Sequence, residues 1–226
     1  LITIGVCIGL FILIYGVWVF VAVQRTATIA VDYKAKINEV AAAVPAEERA
    51  WPLYREAAIA LSMDPEPNIY QIYDDPVFED PTWPTDEGWA HYESWIEGHQ
   101  ETLAFIRDAS QLEGCGLVLG TVAEEDKEIF VAQYEMEQAG EGNEEFLFSL
   151  LLPQLSHYRE MARLLSADAK IAAHQGDASR ALEDIQTIFG MVKHVREHPV
   201  LISDLVGHAL INLGIHTTSE ILSHEP

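Results

Sequence analysis

Five consecutive residues, His194-Val195-Arg196-Glu197-His198, carry the H-x-x-E-H order. In that order two histidines one helical turn apart can hold zinc, while the glutamate between them activates a water. His194 and His198 are four apart, as a shared helical face requires. Pro199 follows at once, so the pattern falls on a fraying helix end, and no third ligand can be singled out. Histidine is also favoured near a helix C-terminus by the dipole alone. His194 and His198 therefore stand as the candidate metal residues, set against a purely structural role.

Other chemistry-bearing groups are more diffuse. Asp74, Asp75, Glu79 and Asp80 cluster the oxygens that calcium prefers, but in no EF-hand spacing and with no glycine among them. His208, His216 and His224 recur every eight residues, about 80° apart around a helix, so they do not line one face. Cys7 and Cys115 are too isolated for a disulfide or a metal pair. No Ser-His-Asp order, phosphate loop or dinucleotide fingerprint is present. The sequence reading assigns no catalytic residue and no cofactor.

The elements that would position these residues start with an uncharged stretch. Residues 1–23 hold no formal charge, and all 13 Lys and Arg and 36 Asp and Glu lie beyond Gln24. As a helix this stretch would reach about 34 Å, enough to cross a bilayer core. Residues 1–24 are expected to form a single transmembrane anchor, with lipid around 1–23. Trp18, Phe20 and Arg25 suit its interfacial flank. Gly5, Gly9 and Gly16 share a stripe where another helix could approach closely. Arg25, Lys34 and Lys36 beside the exit favour a cytoplasmic body. The usual layout of single-anchor envelope proteins favours the opposite side, and the body is expected outside a bacterial inner membrane. The opening Leu1 and the ending at Pro226 leave room for further chain at either end.

The charge balance bounds the partners. A net charge of −23 with five lysines argues against nucleic acid and against anionic lipid surfaces, since both require a basic footprint. Proteins with basic surfaces are the expected partners, and a solvated acidic exterior with no partner explains the charge equally well.

The body reads as all-α. Tyr33, Ile37, Val40, Ala41 and Val44 continue the helical period, so an amphipathic stalk is expected over 25–45. The acidic helical domain follows over 46–226. Its first helix carries Leu53, Ala57, Ala60 and Leu61, with Pro52 in the first turn. Segment 64–87 holds eight carboxylates, five prolines and no basic residue, and is expected to be an irregular loop. Trp83, placed in that loop, is the candidate docking aromatic. One helix is expected to carry Trp89, Tyr92, Ile96, His99, Leu103 and Ile106. Loop 112–120 follows. The capping pattern of Thr121 and Glu124 then opens a helix to about Gln138, broken over 140–143. Three regular helices close the chain, with stripes at Tyr158/Ala162/Leu165/Ala169/Ala172, Leu182/Ile185/Phe189/Val192 and Ile202/Leu205/Ala209/Leu213.

The run Ala172-Ala173-His174-Gln175-Gly176-Asp177, with Ala181-Leu182-Glu183, resembles the inter-helix turn of a tetratricopeptide repeat. Tyr54-Arg55-Glu56-Ala57-Ala58 with Asp64-Pro65 resembles the second helix of such a repeat. No strict 34-residue period joins the two. The anchor, the Ala50–Ala57 helix and the Gly-Asp hairpin together resemble a group of membrane-anchored bacterial envelope proteins, a likeness that brings no activity. The resemblance implies antiparallel helical hairpins used for protein contact. The expected function is a non-catalytic, membrane-anchored scaffold, an accessory subunit of a larger membrane assembly touching other subunits through anchor and acidic body. A zinc-dependent hydrolase and a free-standing homo-oligomeric envelope protein are the alternatives.

Overall fold

The computed structural model describes residue 15 and residues 33–67, 82–120, 122–131 and 152–224. The chain divides into two compact units, residues 1–33 and 34–226. Among the described residues no helix is long and apolar enough to cross a membrane. The expected anchor, with Gly5, Gly9 and Gly16, lies outside the described residues except for Tyr15, which is helical.

The described part of the second unit is all-helical. Its elements are α1 (Tyr33–Ile37), α2 (Glu39–Ala43), α3 (Trp51–Met63), α4 (Trp89–Gly98), α5 (Gln100–Gln111), α6 (Gln154–His174), α7 (Ala178–Val195) and α8 (Leu201–His224). Among the described residues the strand-like pairing is a single parallel bridge, Arg49 with Gly114. Helix α6 packs on α7 and α8, α7 also meets α5 and α8, and α3 lies against α5 and α6. Tyr54, Leu61, Ile96, Leu103, Ile106, Tyr158, Met161, Leu165, Ile188 and Met191 form the centre of the core.

Local chemistry explains the boundaries. Pro52 occupies the first turn of α3, where its missing N–H costs nothing, and Asp64-Pro65 ends the helix. The α6–α7 turn closes as a Schellman motif: Asp177 N donates to Ala172 O at 2.8 Å and Gly176 N to Ala173 O at 2.9 Å. Gly176 sits at φ +79°, and the Asp177 carboxylate then caps α7 by accepting from Arg180 N at 3.1 Å.

Four expectations are corrected. The stalk does not run free to residue 45: α1 and α2 bend at Asn38, and Ile37, Asn38 and Ala41 are buried in the second unit. Asn38 holds both backbone groups of Leu119, donating to its carbonyl and accepting from its N–H, each at 2.9 Å. The helix over 89–111 is broken at His99, whose backbone leaves the helical region at φ −110°, ψ 23°. Residues 122–130 form a 3-10 turn, Glu124–Asp126, and further turns instead of an α-helix. Their path is set by Asp126, which accepts Trp51 Nε1 at 2.8 Å and lies 3.5 Å from the Arg55 guanidinium. The expected continuation over 132–138 and its break lie outside the described residues.

The stripes of α7 and α8 are also rotated. The buried positions are Ala181, Asp184, Thr187, Ile188, Met191, Val192, His194 and Val195 on α7, and Ser203, Val206, Gly207, Leu210, Gly214 and Thr217 on α8, so Val192 alone of the two expected stripes is buried. Small residues decide this. A Cβ at Gly207 would come within 2.9 Å of Arg196 Cδ, and one at Gly214 within 2.9 Å of Phe189 Cζ. Close backbone approach at these two points turns the larger apolar side chains outward.

Candidate functional site

The H-x-x-E-H residues all reach the same target, the backbone of residues 112–117. His194 Nε2 donates to Leu112 O at 3.1 Å, because a carbonyl can only accept. Its Nδ1 therefore carries the lone pair and accepts from the Tyr54 hydroxyl at 2.9 Å. Glu197 takes two consecutive peptide N–H groups, Cys115 N on Oε1 at 3.1 Å and Gly116 N on Oε2 at 2.9 Å. His198 Nε2 donates to Leu117 O at 2.7 Å. The three side chains form a clamp on an extended loop.

The glycines of Gly114-Cys115-Gly116 make the clamp possible. A Cβ on Gly114 would sit 2.6 Å from Val44 Cγ2 and 2.8 Å from Glu197 Oε1. Gly116 is at φ +70° and would collide with the Arg49 side chain. On the opposite side, Ala50 N and Trp51 N donate to Gly114 O and Cys115 O, each at 2.9 Å. The loop thus satisfies its buried backbone without a sheet.

Burial sets the protonation. It lowers His194 to about 4, only partly opposed by the Leu112 carbonyl, and lowers His198 as well. Burial raises Glu197, against the pull of the two N–H groups and Arg49. Behind the clamp, Cys115 Sγ lies 3.1 Å from the Tyr158 hydroxyl, and Tyr158 meets Tyr54 edge-on at 5.0 Å. Burial pushes the Cys115 thiol up to about 12 and both phenols well above their usual range. These are neutral packing groups, unsuited as nucleophiles at neutral pH.

As metal ligands the pair is poorly presented. The His194 lone pair is occupied by Tyr54, the His198 Nε2 is turned to a carbonyl, and Glu197 is held by amides. Among the described residues no group of three His, Cys, Asp or Glu is arranged to hold a metal ion. The acidic cluster of Asp74, Asp75, Glu79 and Asp80 lies outside the described residues. His208 donates to Asp204 O, His216 lies 3.0 Å from Glu220, and His224 stacks on Trp83, so these three do not converge.

Trp83 is not an outward anchor. It is 3 % exposed, stacked on His224 at 4.3 Å and edge-on to His174 at 6.4 Å. Asp86 fixes its turn by accepting from Thr82 N and Trp83 N, each at 2.8 Å.

A second buried polar cluster escaped the sequence reading. Arg107 on α5 donates through Nε to Asp184 Oδ1 at 2.8 Å and through Nη2 to Asp168 Oδ2 at 2.7 Å. Asp168 and Asp184 are 1 % and 0 % exposed. Arg180 Nε stays 3.6 Å from Asp168, and Asp184 Oδ2 finds no hydrogen-bond partner. Burial pushes Asp184 up to about 8; Arg107 opposes this and Asp168 adds to it. The available signal was an acid on each buried stripe, Asp168 between Leu165 and Ala172 and Asp184 between Ala181 and Ile188. In so acidic a chain that signal is easily lost.

A cleft of about 220 Å³ opens between Leu61, Pro65, Glu66, Trp95, Glu160 and Arg163. It is smaller than ordinary small-molecule sites, which run to roughly 300–1,000 Å³. Large apolar side chains are instead displayed on the outside of α7 and α8. Leu182, Phe189, Leu201, Leu205, Ile215 and Leu222 are between 39 % and 76 % exposed. No protein-family model, curated protein or solved structure matches the chain.

Proposed function

We propose that this protein is a non-catalytic, membrane-anchored helical scaffold, an accessory subunit of a larger membrane protein assembly. The observation that carries the reading is the outward apolar face of α7 and α8 on a body of net charge −23. Large apolar side chains turned outward on a strongly charged protein are the kind of surface that a protein partner covers. The side chains best equipped for chemistry support the same reading. His194, Glu197 and His198 are spent on their own loop, and Cys115 is sealed beneath it. The uncharged stretch 1–23 supplies the tether to a bacterial inner membrane, and Gly5, Gly9 and Gly16 supply its close-approach face. Hairpins of the tetratricopeptide kind present the acidic body outside that membrane.

The test is extraction in mild detergent, size analysis and identification of co-purifying chains. Other chains are expected in fixed ratio, and they should be lost when Leu205→Glu and Ile215→Glu place charge on the exposed face. A protein that emerges with no other chain sinks the accessory-subunit reading.

A further inference from the structure

The geometry points to the cleft between α3, α4 and α6 as a socket for one arginine side chain of a partner protein. The inference goes beyond the scaffold reading. It concerns a different surface from the α7–α8 face, and it stands without the anchor.

Size selects the occupant. The cleft holds about 220 Å³. A water in the liquid takes roughly 30 Å³, so about seven atoms of that size fill the space. That is the size of an arginine side chain beyond its Cα. A lysine side chain leaves room unfilled, and a drug-sized molecule needs roughly 300–1,000 Å³.

The floor suits the aliphatic part of such a side chain. Leu61 comes from the last turn of α3, Pro65 from just beyond it, and Trp95 from α4. Trp95 is 6 % exposed and spends its indole N–H on Asp64 O at 2.9 Å, so the ring offers only carbon to the cleft. A long cationic side chain lays its stem along surface of this kind and keeps its head at the polar rim.

The rim suits the head. It is made by Glu66, Glu160 and Arg163, so two carboxylates face one guanidinium. A body of net charge −23 adds to the pull on a cation, and a concave surface concentrates that field. Arg163 already shows that a guanidinium is accommodated here, with its Nη1 3.3 Å from Glu66 Oε2. An exposed pair of this sort holds weakly, so Arg163 shares the rim without closing it. Glu160 meets His157 Nδ1 at 3.2 Å and keeps 42 % of its side chain in water. A carboxylate so placed can accept both arms of a guanidinium, a fork that an ammonium does not offer.

The test is an NMR titration of the full chain in an uncharged mild detergent. It is read at the Trp95 indole N–H, identified by its loss in Trp95→Phe. The probes are N-acetyl-arginine amide, its lysine and citrulline counterparts, and free arginine. The arginine amide should shift the Trp95 signal and bind at least tenfold more tightly than the citrulline amide, which has the same shape without the charge. Glu66→Gln with Glu160→Gln should weaken binding at least tenfold while circular dichroism stays unchanged, since both carboxylates reach water. Arg163→Gln removes the guanidinium that competes for the rim and should tighten binding. Equal binding of the citrulline or lysine amide, no loss in the double glutamine variant, or unchanged or looser binding in Arg163→Gln overturns the socket. Free arginine binding more tightly than its amide overturns the partner side chain in favour of a small molecule. An unmoved Trp95 signal in a chain that co-purifies with others overturns the socket and leaves the scaffold reading intact. A responsive Trp95 in a chain that emerges alone does the reverse.

Discussion

Glu197 offers its carboxylate to two consecutive peptide N–H groups, an arrangement in which small anions are often bound. Here the protein fills the site with its own side chain. The spacing of His194 and His198 suggested one shared helical face, but α7 ends at Val195 and only His194 lies on it. The sequence could not show that a loop some 82 positions earlier would take all three side chains. Only the paired glycines hinted at a close backbone approach there. Those glycines give a comparison within the same protein. Gly176→Ala meets open space at φ +79° and should cost about 1–2 kcal/mol of backbone strain. Gly116→Ala meets the Arg49 side chain at φ +70° and should cost about 2–5 kcal/mol, the strain plus overpacking. Urea unfolding of the two variants checks this. Equal losses would mean that the clamp does not constrain the loop.

The joint of α5, α6 and α7 is built on two buried carboxylates and one arginine fork. Burial holds the Asp184 carboxyl near 8, far above an unfolded aspartate at about 3.9. The folded chain then binds an extra proton between those two values. Its stability is complete below pH 4 as far as this group is concerned, and falls as pH rises toward 8. Asp184→Asn supplies the neutral shape permanently. The urea midpoint of the wild type should fall between pH 5 and 8.5 by more than that of the variant, and matching slopes would refute a proton held by Asp184. At this scale the sequence was readable where periodicity was strong. Helices α6, α7 and α8 and the Gly176-Asp177 turn lie where the spacing put them. The α6 stripe of Tyr158, Ala162, Leu165, Ala169 and Ala172 is buried as expected, while those of α7 and α8 are rotated because Gly207, Gly214 and Asp184 carry little hydrophobic signal, yet close contacts and an ion pair form there.

Across the whole chain, the sequence placed a boundary near residue 45 because Pro45 interrupts the helical period. The structure divides the chain between residues 33 and 34, since the Asn38 amide ties α1 and α2 to Leu119. A chain beginning at Lys34 should therefore unfold in one cooperative step. One beginning at Ala46 should lose about 2–4 kcal/mol, for two buried hydrogen bonds and the burial of Ile37 and Ala41. Equal stability of the two would restore the free stalk. The all-α class was legible from the start, because one unbroken period-3.6 pattern after another leaves no room for strands. The clamp also imposes an order in time. Loop 112–117 leaves the ribosome first, and its partners His194, Glu197 and His198 follow about 80 residues later. At about 5–20 residues per second, roughly 4–16 s pass with these backbone groups still served by water. The α6–α7–α8 hairpins, built from neighbours in sequence, close before the ends of that long span can meet. The amino-terminal half of the body is therefore finished last, on a template made by the half synthesised after it.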